Sequence, residues 1–449
     1  MHKQSDATLK LQHLHAALGA GTMRQVGQLV NALNAAEIAN LLESLPLPQR
    51  EVVWKLVDVE NEGDVLVEVN DEVRGSLIKA MDSSELVAAA AGLDIDDLAD
   101  LLAELPETVK REVLRSLDLS DRLRLQAVMS FAEDSAGGLM NPDTITVRGD
   151  VTVEVILRYL RMRKEIPKDT DALFVVSRNG SHLGYLFLTS LLTAESEATA
   201  ANIMEADIPA LNASTHATEV ATLFENYDLV SAAVVDNENK LIGRITVDDV
   251  VDIIRDEASH SVMSMAGLDE DDDMFAPVSD SAKRRSIWLG VNLATAFLAA
   301  WAANLFAVTL DRIVMLAILM PVVPSMGGVA GTQTLILMTR GLALGQINPA
   351  NARSLLLKEF GVAVYNSAGW AVVVALIAAW WFKTWQIGFV IAGALVANLL
   401  CAAVAGFFVP LSLKRLNIDP ALAGGVVLTT ITDVVGIIAF LGLGTLLLL

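Results

Sequence analysis

VVLTTITDVVGIIAFLGLGTLLL, residues Val426–Leu448, is apolar and long enough to cross a membrane as one helix, since about 20 helical residues span the hydrocarbon core. It carries a single charge, Asp433. A charged side chain at the bilayer centre costs roughly 2.5–3.5 kcal/mol on insertion scales, so it normally faces a partner or a watery path. Thr429 lies four residues before Asp433, Gly425 eight before and Gly436 three after. At helical spacing these residues form one small, polar stripe. No Lys, Arg or His lies deep in an apolar run to neutralise the acid, so the stripe reads as an ion path. A helix-packing face with one buried carboxyl is the plainer alternative.

Four further apolar runs precede it, approximately Ile287–Val308, Ile313–Met338, Gly361–Phe382 and Ile387–Val409. The second is broken in composition by PVVPSMGGVAGTQ, Pro321–Gln333. Pro321 and Pro324 free helix carbonyls, while Gly327, Gly328 and Gly331 expose backbone. Membranes tolerate such backbone where it is buried in protein or lines a cavity, and its carbonyls suit a cation or its water. A proline kink with glycine packing is the alternative.

The chain is 53% hydrophobic yet has a net charge of −22. Cutting it at Ser286 resolves the contradiction. Beyond that point there are seven bases and four acids; before it, 25 bases face 50 acids. One half is a membrane domain and the other an acidic soluble assembly. The acidity disfavours nucleic acid as a partner, because phosphate backbones need Lys and Arg, and it favours bound cations. With the soluble half on the cytoplasmic side, inner loops hold Lys283, Arg284, Arg285, Arg340, Arg353, Lys358, Lys414 and Arg415, against Arg312 and Lys383 outside. That distribution satisfies the positive-inside rule. The lone Cys401 excludes a disulfide framework, and MHKQSDATLK lacks the apolar core of a signal peptide, which predicts a cytoplasmic soluble half.

Residues 1–135 read as helical and repetitive. EIANLLESLP (Glu37–Pro46) recurs 60 residues later as DLADLLAELP (Asp97–Pro106), which predicts stacked helical units. From Leu139 the pattern turns β-rich. ALFVVSRNGSHLGYLFLTSLL (Ala172–Leu192) is echoed by SAAVVDNENKLIGRITVDDVV (Ser231–Val251), a duplicated α/β unit. These paired units resemble a tandem CBS module. A linker follows, Asp256–Arg285, with acids at Asp269–Asp273. Such a run is either solvated or a landing site for divalent cations.

Helical repeats, paired CBS units and five spans in that order resemble the MgtE-type magnesium channels. The matching motifs are DSAGGLM (Asp134–Met140), LIGRITVDDVVDII (Leu241–Ile254), GGxxGxQ (Gly327–Gln333), RGLALG (Arg340–Gly345) and DPA…TTITDVVG (Asp419–Gly436). The expected architecture is an all-α helical-repeat domain at 1–135, CBS units at 136–200 and 201–256, a connecting helix at 257–285 and a five-helix transmembrane domain at 286–449. The resemblance implies a homodimer in the inner membrane, a pore between protomers, and Asp433 facing the ion with Thr429, Gly425, Gly327, Gly328 and Gly331 along its path. It also implies closure by intracellular Mg²⁺ bound among Asp96, Asp100, Asp228, Asp249, Asp252 and Glu257. The chain departs from the family pattern at Val329, at Gly425-Val426-Val427 and at EASHS, where His260 and Ser261 replace two acids. The last departure predicts a differently tuned sensor.

Mg²⁺ keeps several waters and takes one or two carboxylates, which two Asp433 side chains would supply. Such a site would discriminate weakly against Mn²⁺ and Co²⁺. Soft ligands in the spans are limited to Cys401 and methionines, which disfavours copper or zinc. Without a GxxxxGK[ST] loop the expected transport is passive. The membrane potential gives about 2.3 kcal/mol per charge per 100 mV, roughly 4.6 for a divalent ion. Gly243-x-x-Thr246-x-x-Asp249 resembles the ribose-binding pattern of nucleotide-binding CBS units, so an adenine nucleotide is a second candidate ligand; a strand–helix joint capped by Thr246 is the alternative. An enzyme finds no support, as the six His residues show no metal-ligand spacing. A membrane-anchored metal or nucleotide sensor without transport is the competing reading.

Overall fold

The computed structural model describes residues 23–163, 166–268, 272–343, 345–348 and 350–449. It divides into two compact units, Met1–Ala258 with Asp271–Ala276, and Ser259–Glu270 with Pro277–Leu449.

The first unit begins with short helices on a strict period. Among the described residues these are α1 (Met23–Val30), α2 (Ala35–Glu43), α3 (Leu47–Trp54), α4 (Val59–Glu68), α5 (Asp71–Ala80), α6 (Ser83–Ala90), α7 (Ile95–Glu104), α8 (Glu107–Ser116) and α9 (Leu119–Val128). Each starts 12 residues after the one before it. Side-chain caps punctuate the period. Asn34 and Asp82 form capping boxes with Glu37 and Glu85, while Asn70 and Asp118 cap α5 and α9. Helices this short are marginal alone, so they depend on stacking. Helices two apart pack together, α2 on α4, α4 on α6 and α6 on α8, with α1 on α3, α3 on α5 and α7 on α9 in the other row. Leu41, Leu42 and Leu45 are buried in one copy, Val65, Leu66 and Val69 in the copy 24 residues later, and Leu101, Leu102 and Leu105 in the copy that repeats the sequence most closely.

Two three-stranded sheets follow. β1 (Thr146–Arg148) runs parallel to β2 (Ala172–Val176), which is antiparallel to β3 (His182–Phe187). The helices of this half are α10 (Val153–Met162), α11 (Leu188–Thr193) and α12 (Ala200–Ile203). β4 (Leu211–Asn212), β5 (Ser231–Val235) and β6 (Leu241–Thr246) repeat the sheet topology, with α13 (Ala217–Tyr227) between β4 and β5. Ala172 pairs with Phe187 as Ser231 pairs with Thr246, so the duplication seen in sequence is a duplication of register. The halves share a small core of Ala172, Phe174, Tyr185 and Ala233. There the Tyr185 hydroxyl accepts the Ala233 N–H at 2.9 Å.

α14 (Val247–Ser264) leaves β6 and continues unbroken past Ala258, so the chain passes from one unit to the other within a helix. Among its described residues, the segment 257–285 is therefore carried by the end of α14 and the first turns of α15 (Val278–Asn304), with turns at 265–267 and 274–275, rather than by one connecting helix.

Among the described residues the second unit holds five helical segments long and apolar enough to cross a membrane: Val278–Asn304, Val314–Ala343, Ala352–Phe382, Trp385–Arg415 and Pro420–Leu448. The first is α15, which takes in Lys283–Arg285 and so begins earlier than the apolar run. After α16 (Ala307–Arg312), the second is interrupted at Met320–Pro321 into α17 (Val314–Leu319) and α18 (Val322–Ala343). Pro321 cannot donate the next helical hydrogen bond, which accounts for the break. α19 (Ala352–Phe382), α20 (Trp385–Arg415) and α21 (Pro420–Leu448) complete the unit. α20 is the central helix, packed on α18, α19 and α21, and it carries the largest share of buried residues. The apolar residues outside this core, Leu289, Phe297 and Trp301 on α15 among them, are exposed, as suits a helix solvated by lipid.

Candidate functional site

α21 opens on Asp419, whose carboxylate accepts the Ala421 and Leu422 N–H groups at 2.9 and 3.2 Å, with Pro420 at the first helical position. About four turns further along, the Asp433 side chain is half-buried and has no hydrogen-bond or ion-pair partner among the described residues. Before it in the helix, the hydroxyls of Thr429, Thr430 and Thr432 each donate back to carbonyls of their own helix, at 3.0, 2.7 and 3.2 Å. That satisfies the hydroxyl protons; Thr429 and Thr430 stay partly exposed, whereas Thr432 is wholly buried.

The expected path glycines divide into two kinds. Gly425 and Gly328 face open space, with no atom near where a Cβ would stand. Gly327 and Gly331 are packing positions. A Cβ on Gly331 would lie 2.9 Å from Leu428 of α21. One on Gly327 would collide with the Asn398 amide and lie 2.8 Å from its Cγ.

Asn398 and Glu359 were not legible as site residues. Asn398 of α20 is wholly buried, and its Nδ2 donates to the Val323 carbonyl at 2.8 Å, in the first turn after the break in the second span. Its Oδ1 is buried without a partner; an acceptor left so costs roughly 1–3 kcal/mol. Glu359 of α19 is also buried, pairing with Lys358 Nζ at 2.9 Å and accepting the Thr334 hydroxyl at 3.3 Å. Asp433 is thus not the sole acid within a membrane helix, because α19 begins well before the apolar run at Gly361.

In the first unit, acids of α7 and α14 face one another. Asp249 is pushed up to about 8 by burial, then by the charges of Asp96, Asp248 and Asp97. Asp97 is pushed up to about 7 by burial and by Asp96, Asp94, Asp100 and Asp248. Burial lifts Asp96 to about 6, against a hydrogen bond from Asn141 Nδ2 at 3.2 Å. Asp252 lies beside Glu68 of α4, which partial burial and the Asp252 charge raise. The structure thus gathers Asp96, Asp100, Asp249 and Asp252 and adds Asp97 and Asp248. The acids stop short of a closed site: among the described residues no group of three or more His, Cys, Asp or Glu is placed to hold a metal ion. Asp228 and Glu257 lie outside the cluster. Asp228 is exposed and ends α13 in the left-handed conformation at φ 51°, and Glu257 is exposed on α14.

Of the nucleotide pattern, Gly243 abuts Met140, 2.7 Å from Sδ to where a Cβ would stand. The Thr246 N–H and hydroxyl both reach the Asp249 carboxylate at 3.3 Å. Asp249 therefore caps the joint that Thr246 was expected to cap, while also belonging to the acid cluster.

Two polar side-chain contacts complete the picture. His260 Nε2 lies 3.2 Å from Asp419 Oδ2, with Ser264 one turn along, so a residue that replaces an acid meets the cap of the Asp433 helix directly. The acid run divides: residues 269–271 lie outside the described residues, whereas the Asp273 side chain is largely shielded rather than solvated. Its carboxylate pairs with Arg50 Nη1 at 2.8 Å, and its N–H donates to Glu72 at 2.6 Å. Arg50 spends its other donors on the Leu42 and Leu45 carbonyls.

The chain matches three family models: the MgtE divalent cation transporter at residues 320–443, the MgtE intracellular N domain at 33–134, and the CBS domain at 136–197 and 200–256. A magnesium transporter MgtE of Bacillus subtilis is 27% identical over 425 residues, 95% of this chain and 94% of the relative. One from Thermus thermophilus is 31% identical over 330 residues, 73% of each. A solved cytosolic domain of the Mg²⁺ channel MgtE in complex with ATP is 31% identical and covers 54% of this chain and 99% of its own length, with a TM-score of 0.49. An intramembrane acid on the last of five spans, a soluble unit of helical repeats and paired α/β units, and relatives matched along most of their length lead to one conclusion: the chain belongs to the MgtE family of magnesium transporters.

Proposed function

We propose that the chain is a passive Mg²⁺ channel of the inner membrane whose pore forms between two copies, with both Asp433 carboxylates facing a largely hydrated ion. The observation that carries this reading is the Asp433 carboxylate itself, half-buried in a membrane helix with no basic partner among the described residues. A structural acid would be neutralised by a neighbour; one left open beside Gly425 and Thr429 suits a cation that keeps its water. Gly328 and Gly425, open to space in a single copy, are the positions where a second copy or the ion's water would approach. The soluble unit is cytoplasmic in this reading. Its domains are the helical repeats at 1–135, CBS units at 136–200 and 201–256, and a connecting segment at 257–285 leading into the membrane domain at 286–449.

Regulation follows from the acids. Asp96, Asp97, Asp248 and Asp249 repel one another, and Mg²⁺ relieves that repulsion by bridging them, which favours a compact state that closes the pore. Binding biases the equilibrium only through its greater affinity for that state. Asp100, Asp228, Asp252 and Glu257 extend the acidic surface. An adenine nucleotide at Gly243, Thr246 and Asp249 would engage the same Asp249, coupling the two ligands; isothermal titration with and without Mg²⁺ tests it. No catalytic step is assigned.

The test is Mg²⁺ entry into proteoliposomes under an inside-negative potential, wild type against Asp433→Asn. The expected outcome is entry by wild type, with Mn²⁺ and Co²⁺ also admitted, and a loss of at least tenfold in the variant. A folded wild type that passes no ion would instead favour a membrane-anchored sensor.

A further inference from the structure

Three helices of the membrane unit converge on one side-chain amide. Asn398 projects from α20 into the seam between α18 and α21, and it is 0% exposed. From α18, Gly327 lies so close that a Cβ there would be 2.8 Å from the Asn398 Cγ and 3.2 Å from its Oδ1. From α21, a Cβ on Gly436 would be 2.8 Å from Nδ2 and 3.4 Å from Cγ of Pro324. The amide donates to Val323, the residue before Pro324. Both glycines exist at contact distance to this group, so the seam is built around it. Packing alone does not explain the choice of residue. A leucine would fill comparable volume without burying an acceptor that has no partner, as Oδ1 is.

Two ion-path features belong to the helices that meet at the amide. Pro321 and Pro324 lack N–H groups, which leaves the carbonyls of Ala317 and Met320 without their usual helical donors. Gly436 lies one turn beyond Asp433 on α21. We infer that Asn398 is a positioning residue for ion passage: its buried amide fastens the proline-broken span to the Asp433 helix and sets the separation between freed carbonyls and carboxylate. This rests on the reading of Asp433 as the ion-path acid. A weakened seam changes how many of its own waters the ion must keep, so it alters discrimination between Mg²⁺, which dehydrates reluctantly, and Mn²⁺, which does so more readily.

The test is the ratio of Mn²⁺ to Mg²⁺ entry into proteoliposomes for wild type, Asn398→Ala and the double variant Asn398→Ala/Gly327→Ala. A ratio cancels the fraction of folded protein, so a merely structural role does not move it. The double variant places a methyl group where the amide was and keeps the seam filled where the single variant fails to fold. The expected result is at least a threefold change in the ratio for both variants, with the double variant regaining the wild-type melting temperature. Wild-type flux with an unchanged ratio in the double variant overturns the inference and leaves Asp433 standing. Absence of wild-type flux overturns the ion-path reading first, and this inference with it.

Discussion

His182 sits between the two α/β units with rings close by, Phe174 at 6.2 Å and Tyr185 at 5.1 Å between centroids, and neither of its nitrogens has a partner. Burial lowers its pKa to about 4. An unfolded chain takes up this proton near 6.5, so between about 6.5 and 4 the unfolded state binds more protons than the folded one. Stability contributed here is complete above that window and is lost as pH falls through it. His182→Phe is expected to flatten the acid limb of the soluble unit's melting curve, read by thermal unfolding from pH 7 to pH 4; an unchanged slope would refute the assignment. At this scale the sequence speaks unevenly. Asp433 was legible because one acid in an apolar run needs no neighbours to look anomalous. Asn398, Glu359 and Arg50 were not, since an Asn in a long span or an Arg in a charged helix becomes informative only when burial and partners are known. Gly327 and Gly331 were visible as small residues, but only the fold shows that they seat the Asn398 amide and Leu428.

At the scale of elements, α7 and α14 present carboxylates to one another, and their titration reports burial first and repulsion second. Asp96, Asp97 and Asp249 are raised to about 6, 7 and 8, chiefly by burial, with neighbouring carboxylates adding to it: Asp94 for Asp96, and Asp96 first for Asp97 and Asp249. The folded state therefore holds protons that the unfolded state has released, and stability falls as pH rises from about 4 through 8. In the proposed reading Mg²⁺ substitutes for those protons, so it is expected to raise the melting temperature more at pH 8.5 than at pH 6. Equal shifts at both values would show that these acids do not bind it. α3 anchors a second prediction. Arg50→Met leaves the Asp273 carboxylate buried and unpaired, and breaking one side of such a pair costs about 3–5 kcal/mol. The double variant Arg50→Met/Asp273→Leu should recover most of that stability by denaturant unfolding, and failure to recover would place the loss elsewhere. The helical repeat was legible as two similar decapeptides 60 residues apart. Its true 12-residue period was hidden, because the intervening helices keep only the apolar phase, with Val65, Leu66 and Val69 standing where Leu41, Leu42 and Leu45 stood. A buried position accepts several apolar side chains, so phase outlasts identity.

For the whole molecule, an acidic soluble unit and a membrane unit are joined through a helix that belongs to both, α14, which starts at the acid cluster and ends at the His260–Asp419 contact. The order of parts was readable from composition, since a charge of −25 before Ser286 and +3 after it admits few other architectures. The contacts along α14 were not, because they depend on which acids the fold brings within reach of one another. In the proposed function Mg²⁺ passes the membrane unit, and Mg²⁺ on the soluble side stops it. The most direct measurement is Mg²⁺ flux through the reconstituted full chain at fixed potential while Mg²⁺ facing the soluble unit is raised in steps. The expected result is flux at low Mg²⁺ that falls at least tenfold as the acids fill, whereas flux that is indifferent to soluble-side Mg²⁺ would contradict the proposed gating.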